Sequence, residues 1–134
     1  MRMKWAGLAA VAALAGCAQG TTQRQEADRR ALAEARPVGG PVDCIDLSRI
    51  DRTRVRDNRT IDFHMRGREV YRNRLRDECP GLAFEDSFAY RTSLARLCSV
   101  DLITVNRSGG GSGPTCALGS FQRIETETRQ AGGR

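Results

Sequence analysis

The chain has 134 residues, 28% of them charged and 5% aromatic, with a formal net charge of +6. That length bounds it to one small domain, and no apolar run approaches the ~20 residues that cross a bilayer as a helix. The basic balance admits anionic partners, but so few aromatics exclude a stacking platform of the kind that binds single-stranded nucleic acid.

In chain order, the first feature is an export signal. Arg2 and Lys4 form a short positive region, Ala6 to Leu14 is uncharged and apolar, and small residues lead to Cys17. This is the three-part layout of a secretory signal. Leu14-Ala15-Gly16-Cys17 resembles the lipobox of bacterial lipoproteins. The resemblance implies removal of residues 1–16 and acylation of Cys17, which becomes the mature N-terminus. A lipid-anchored protein of the cell envelope is therefore expected. Ala18 stands where an Asp favours inner-membrane retention in enteric bacteria, so the periplasmic face of the outer membrane is the expected location.

Residues 17–41 read as a flexible tether. They are rich in Gln, Ala, Arg and Glu, hold almost no large apolar side chains, and end in Pro37-Val38-Gly39-Gly40-Pro41. Glu26 to Arg36 can form a transient helix, with Leu32 as its one apolar anchor. A globular domain is expected over residues 42–124 and a fraying tail over 125–134.

A domain this small has a limited core and needs staples. Besides Cys17 it contains Cys44, Cys79, Cys98 and Cys116. Four cysteines in an exported domain imply two disulfides. Of the three connectivities, Cys79–Cys98 with Cys44–Cys116 is favoured, the first clipping a middle loop and the second tying the first element to the last. No two of these cysteines are close enough for the paired spacing of a zinc site, and no metal is expected.

Residues 52–76 read as a β-hairpin. Val55, Ile61, Phe63 and Met65 fall on odd positions, with Asp62, His64 and Arg66 between them. This is the alternation of a half-buried strand. On the return strand, Val70 to Leu75, Tyr71 and Leu75 are again odd. A one-residue slip would flip every side chain, so the loop near Gly67 must hold an odd number of residues. Leu82, Phe84, Phe88 and Tyr90 predict one or two further strands after Cys79-Pro80-Gly81. Val100, Leu102, Ile103 and Val105 predict a more fully buried one. Asn106 to Pro114 is glycine-rich and reads as a loop. Cys116, Leu118, Phe121 and Ile124 predict a closing strand, and Ile45 to Ile50 a helical turn or short strand. The expected class is mainly β: five to six antiparallel strands in a small sandwich or barrel stapled by two disulfides.

The pattern Cys44-Ile45, the hairpin, Tyr71, Leu75, Cys79-Pro80-Gly81-Leu82, Phe88, Leu97-Cys98, Asp101-Leu102-Ile103 and Cys116 resembles a family of small proteobacterial lipoproteins of unknown function. The resemblance spans residues 42–124. It implies a disulfide-bearing β domain in the envelope and carries over no functional residue.

Arginine supplies the sharpest signal within the domain. Ten Arg and four acidic residues lie between Arg49 and Arg76. Arg52, Arg54, Arg56, Arg72, Arg74 and Arg76 share even parity and should project from one sheet face. Guanidinium forks bind phosphate and carboxylate bidentately, so this face is a candidate surface for an anionic envelope component or a protein partner. The plainer reading is a solvated face, with Asp62 pairing Arg74 and Glu69 pairing Arg68 across strands, and charges that discourage edge aggregation. The export signal argues against nucleic acid.

No catalytic residue and no cofactor is assigned. His64, the sole histidine, has no nucleophile placed beside it by a motif. Glu85-Asp86 reads as a turn, because adjacent strand side chains point to opposite faces. Gly109 to Gly113 lacks the Lys-Ser/Thr of a phosphate loop. The sequons at Asn58 and Asn106 are chance matches. The expected function is a non-catalytic binding or structural module. The alternative is a periplasmic inhibitor of a cell-wall hydrolase or protease acting through the loop Arg107 to Pro114.

Overall fold

A computed structural model describes residues 16–126, with side chains from Gly20 onward. The expected signal peptide up to Ala15 and residues 127–134 of the expected tail lie outside the described residues. Helix α1 (Gly16–Glu34) precedes the strands β1 (Arg36–Pro37), β2 (Cys44–Asp46), β3 (Ile50–Val55), β4 (Thr60–Met65) and β5 (Val70–Arg74). The one-turn helix α2 (Leu82–Glu85) then leads to β6 (Phe88–Tyr90), β7 (Arg96–Cys98), β8 (Leu102–Asn106), β9 (Ser112–Ala117) and β10 (Phe121–Glu125).

The described residues are mainly β, as the sequence predicts. A five-stranded sheet runs β1-β10-β5-β4-β3, a three-stranded sheet β6-β8-β9, and β2 pairs with β7. All these pairings are antiparallel. The strands number ten among the described residues because several are very short, β1 having two residues and β2, β6 and β7 three each.

Parity is kept across β4–β5. Phe63 faces Tyr71 and His64 faces Val70 in register, and the Met65 amide donates to the Glu69 carbonyl at 2.8 Å. Arg66, Gly67 and Arg68 therefore form an odd loop centred on Gly67. Gly67 and Arg68 both take positive φ, 116° and 75°, the conformation that glycine adopts at no steric cost.

The hairpin expected over 52–76 is a three-stranded meander. Its extra turn is Asp57-Asn58-Arg59, where Asp57 Oδ1 accepts from the Arg59 amide at 2.8 Å, the side-chain turn that Asp favours. Parity survives this turn, since Arg54 faces Asp62 and Val55 faces Ile61. Odd positions on all three strands therefore share a face.

That face builds the core. Ile61, Phe63, Leu75, Leu82, Leu97, Ile103, Val105, Leu118 and Phe121 are at most 1% exposed. Phe63 meets Phe121 edge-on at 5.5 Å between centroids, and Phe88 at 6.3 Å, an arrangement the ring quadrupoles favour. The core thus lies between the five-stranded and three-stranded sheets.

Both disulfides form, but with a different pairing from the favoured one: Cys44–Cys98 and Cys79–Cys116. The reason is register. Strand β2 lies antiparallel to β7 with Cys44 opposite Cys98, which leaves Cys79, ahead of α2, to Cys116 on β9.

Further differences follow from local backbone. Leu82, Phe84, Phe88 and Tyr90 do not form continuous strand, because Gly81 (φ 84°) starts a helical turn that Asp86 (φ 51°) ends. Phe84 is turned outward. Val100 precedes β8, and on β8 only Ile103 and Val105 are buried, so Val100 and Leu102 are exposed. The expected loop 106–114 narrows to the tip of the β8–β9 hairpin, where Asn106 faces Ser112. Pro114 lies in β9, an outer strand whose free side tolerates a missing N–H. Residues 112–125 are two strands, β9 and β10, and between them Gly119 packs against β5. A Cβ there would stand 2.2 Å from the Arg74 carbonyl oxygen. The buried Asn73 side chain fills the same junction, donating to the Gly119 carbonyl at 2.7 Å and accepting from its amide at 2.9 Å.

The segment that composition reads as a tether is seated on the domain. Residues 36–42 follow β10: Arg36 faces Glu125, the Val38 amide donates to the Arg123 carbonyl at 2.9 Å, and Val42 bridges Phe121. Ahead of them, α1 lies over the even face of the five-stranded sheet.

Candidate functional site

The even face of the sheet carries the arginines and lies beneath α1. Even parity places Arg52, Arg54, Arg56, Asp62, His64, Arg72 and Arg74 on the side away from the apolar core. The expected common face therefore exists for five of the six arginines. Arg76 lies past the end of β5, and its Nη2 donates to the Ser99 carbonyl at 3.3 Å.

Two carboxylates organise this face. Asp62, 1% exposed in its side chain, accepts from Arg56 Nε at 2.9 Å and from Arg72 Nε and Nη2 at 2.8 and 2.9 Å. Asp28, from α1, accepts from Arg54 Nε and Nη2 at 3.2 and 3.1 Å and from Arg56 Nη1 at 2.8 Å. Arg56 bridges the two. Arg72 Nη2 also reaches the Ala31 carbonyl of α1 at 3.4 Å. Burial alone would lower the Arg56 pKa, but the hydrogen bonds and charges of Asp28 and Asp62 outweigh it and raise the pKa above the ordinary arginine value.

The cross-strand pairs expected from sequence are replaced. Asp62 binds Arg72 and Arg56 in place of Arg74, and Glu69 meets Arg49 at 3.5 Å in place of Arg68. The register explains the first change: Arg72 stands directly opposite Asp62, while Arg74 is opposite Thr60. Among the described residues, Arg52 and Arg74 make no ion pair.

A groove of about 890 Å³ opens between the first half of α1, the β3–β4 turn and α2, with Gly20, Arg24, Asp28, Arg29, Asn58 and Phe84 among its walls. Asn58 positions α2 here. Its carbonyl accepts from the Cys79 amide at 2.7 Å and its Oδ1 from the Ala83 amide at 2.9 Å. Arg24 pairs with Asp86 at the end of α2 and closes the groove on the α1 side. Phe84 is 87% exposed at the groove wall.

A second cavity, of about 480 Å³, lies under the C-terminal half of α1 and is lined by His64, Arg52, Asp62, Val70 and Glu34. Of the remaining sequence candidates, Cys17 lies in the first turn of α1. Glu85 Oε2 accepts from the Ser108 amide at 2.9 Å and so holds the tip of the β8–β9 hairpin. Among the described residues no group of His, Cys, Asp and Glu stands close enough to hold a metal ion, and no helix is long and apolar enough to cross a membrane.

Three residues that carry this geometry escape sequence reasoning. Asp28 sits among charged neighbours in a segment with no apolar stripe, and nothing local marks it as buried. Asn58 has a signal, the Asp-Asn dipeptide of a turn. Phe84 reads as strand because its spacing to Leu82 matches β alternation.

No curated protein and no solved structure matches the chain at a significant level. Residues 1–132 match the model of a family of unknown function, DUF6491, and the chain belongs to that family.

Proposed function

We propose that the mature chain is a lipid-anchored protein of the bacterial envelope, held at the periplasmic face of the outer membrane. Its β domain acts as a non-catalytic binding or structural module. One observation carries this reading. The two disulfides pair all four cysteines of the domain with one another, which leaves Cys17 as the odd cysteine, within Leu14-Ala15-Gly16-Cys17. Disulfides persist where thiols are oxidised, as in the periplasm. Acylation supplies the two or more hydrophobic chains that stable anchoring requires.

The arginine face is divided in this reading. Arg54, Arg56 and Arg72 serve the fold, since each is already paired with Asp28 or Asp62. Contact with an anionic envelope component falls to Arg52 and Arg74 on this face and to Arg76 beyond the end of β5. Labelling with a palmitate analogue tests the anchor: incorporation is expected in the native chain and lost in Cys17→Ser, and labelling that survives the substitution refutes it. Crosslinking in the intact envelope tests the face, through loss of a partner in a variant with Arg52, Arg74 and Arg76 changed to Gln.

A further inference from the structure

We propose that the groove between α1 and α2 faces the lipid surface, with Phe84 entering the headgroup region as a second membrane contact beside the acylated Cys17. The inference rests on the anchoring reading above and adds an orientation to it.

The link between Cys17 and the domain has no slack. A flexible tether would let the domain wander away from its anchor. Here α1 is continuous from Gly16 to Glu34 and is held to the domain by the Arg24–Asp86 pair and by Asp28 against Arg54 and Arg56. At ~1.5 Å per residue, Cys17 stands only ~5 Å along the helix axis from Gly20, and Gly20 already lines the groove that Phe84 borders. Acyl chains leaving Cys17 therefore bring the bilayer to this end of the molecule.

Among the described residues, Phe84 is the most exposed large apolar side chain, at 87%. It is held outward by a helical turn whose start and end are both fixed, by Asn58 and by the Asp86 cap. A solitary aromatic on a rigid turn suits shallow insertion between headgroups, where apolar side chains of peripheral proteins reach ~5–10 Å deep. Arg29, in the same groove wall, offers a guanidinium to lipid phosphate.

The chain supplies its own spectroscopic test. Its single tryptophan is Trp5, within the segment removed before Cys17, so the mature protein contains none. Phe84→Trp then places one reporter at the groove, and its exposure keeps the change clear of the core. Val100→Trp is the control: Val100 is 77% exposed, and it lies beyond the far end of β8 from Asn106, whose amide donates to the Ser87 carbonyl near α2. Strand β8 alone puts roughly 13 Å between its two ends. Each variant is purified acylated and reconstituted into phosphatidylethanolamine–phosphatidylglycerol vesicles whose acyl chains carry bromine.

The expected result is flotation of both variants. Indole emission from Phe84→Trp should shift to shorter wavelength and be quenched by the brominated lipid, while emission from Val100→Trp stays unshifted and unquenched. Flotation with Phe84→Trp no more quenched than Val100→Trp overturns the orientation and leaves the anchor standing. Failure to float, with no acyl mass on Cys17, overturns both.

Discussion

Replacing Asp28 with Asn is expected to release α1 while leaving the β domain folded. The Asp28 carboxylate is 10% exposed and receives all three of its guanidinium bonds on one oxygen. Arg56 is 14% exposed and Arg54 36%. A desolvated charge-assisted bond contributes about 1.5–3 kcal/mol, which suits Arg56. The more exposed Arg54 pair is discounted to about 0.2–1 kcal/mol. The amide retains shape but loses the charge, so the substitution costs about 2–4 kcal/mol. Beside Asp28, α1 is held by an exposed Arg24–Asp86 pair, a 3.4 Å bond to the Ala31 carbonyl, and small side chains at Ala27 and Ala31. The cost therefore appears as detachment of the helix. Once α1 lifts, Arg54 is hydrated and Arg56 remains paired with Asp62, so the sheet stays intact. Amide hydrogen exchange reads this directly. Protection over residues 22–34 should fall ~30- to 1,000-fold, at about 1.4 kcal/mol per decade, while β4 and β5 exchange as before. Unchanged protection in α1 would refute the clamp, and parallel loss in β4 would refute its locality. A double-mutant cycle with Arg56→Gln should show positive coupling.

Other consequences concern the domain itself. Asp62→Asn leaves Arg56 and Arg72 facing each other without their shared carboxylate, and breaking a buried pair of this kind costs about 3–5 kcal/mol; a fall in the denaturant midpoint of the whole domain checks it, and a change under about 1 kcal/mol would be inconsistent with the burial. Gly119→Ala forces a methyl onto the Arg74 carbonyl, and Asn73→Ala strands two backbone groups; each should cost at least about 2 kcal/mol in the same assay. Non-reducing peptide mapping should recover the Cys44–Cys98 and Cys79–Cys116 bridges, and Cys→Ser at either pair should lower stability by about 2–4 kcal/mol, given sequence separations of 54 and 37. The raised Arg56 pKa means that the cation is favoured in the folded state. Its contribution is fully present below the unfolded value and is lost only as pH rises through the still higher folded value, above the ordinary arginine range. Helix protection should therefore be flat from about pH 7 to about pH 11 as far as Arg56 is concerned, and a midpoint in that window would point to another group.

The period-2 pattern around Phe63 settles a good deal unaided. Side chains on a strand must alternate, so the odd loop at Gly67 and the common face of Arg52, Arg54, Arg56, Arg72 and Arg74 are legible from residue spacing. The mainly β class and the presence of two disulfides are legible for equally local reasons. Which cysteines meet is not, because the pairing of β2 with β7 joins residues 54 apart in sequence, and no local signal encodes that register. Phe84 misleads because alternation over two or three residues does not separate a strand from a helical turn, and the left-handed Gly81 decides it. The docking of residues 17–41 is invisible for a deeper reason. Composition reports apolar burial, whereas α1 is held by Asp28 against the guanidiniums of Arg54 and Arg56. A charged residue reads as exposed until the fold brings its counter-charges to it, and only tertiary structure does that.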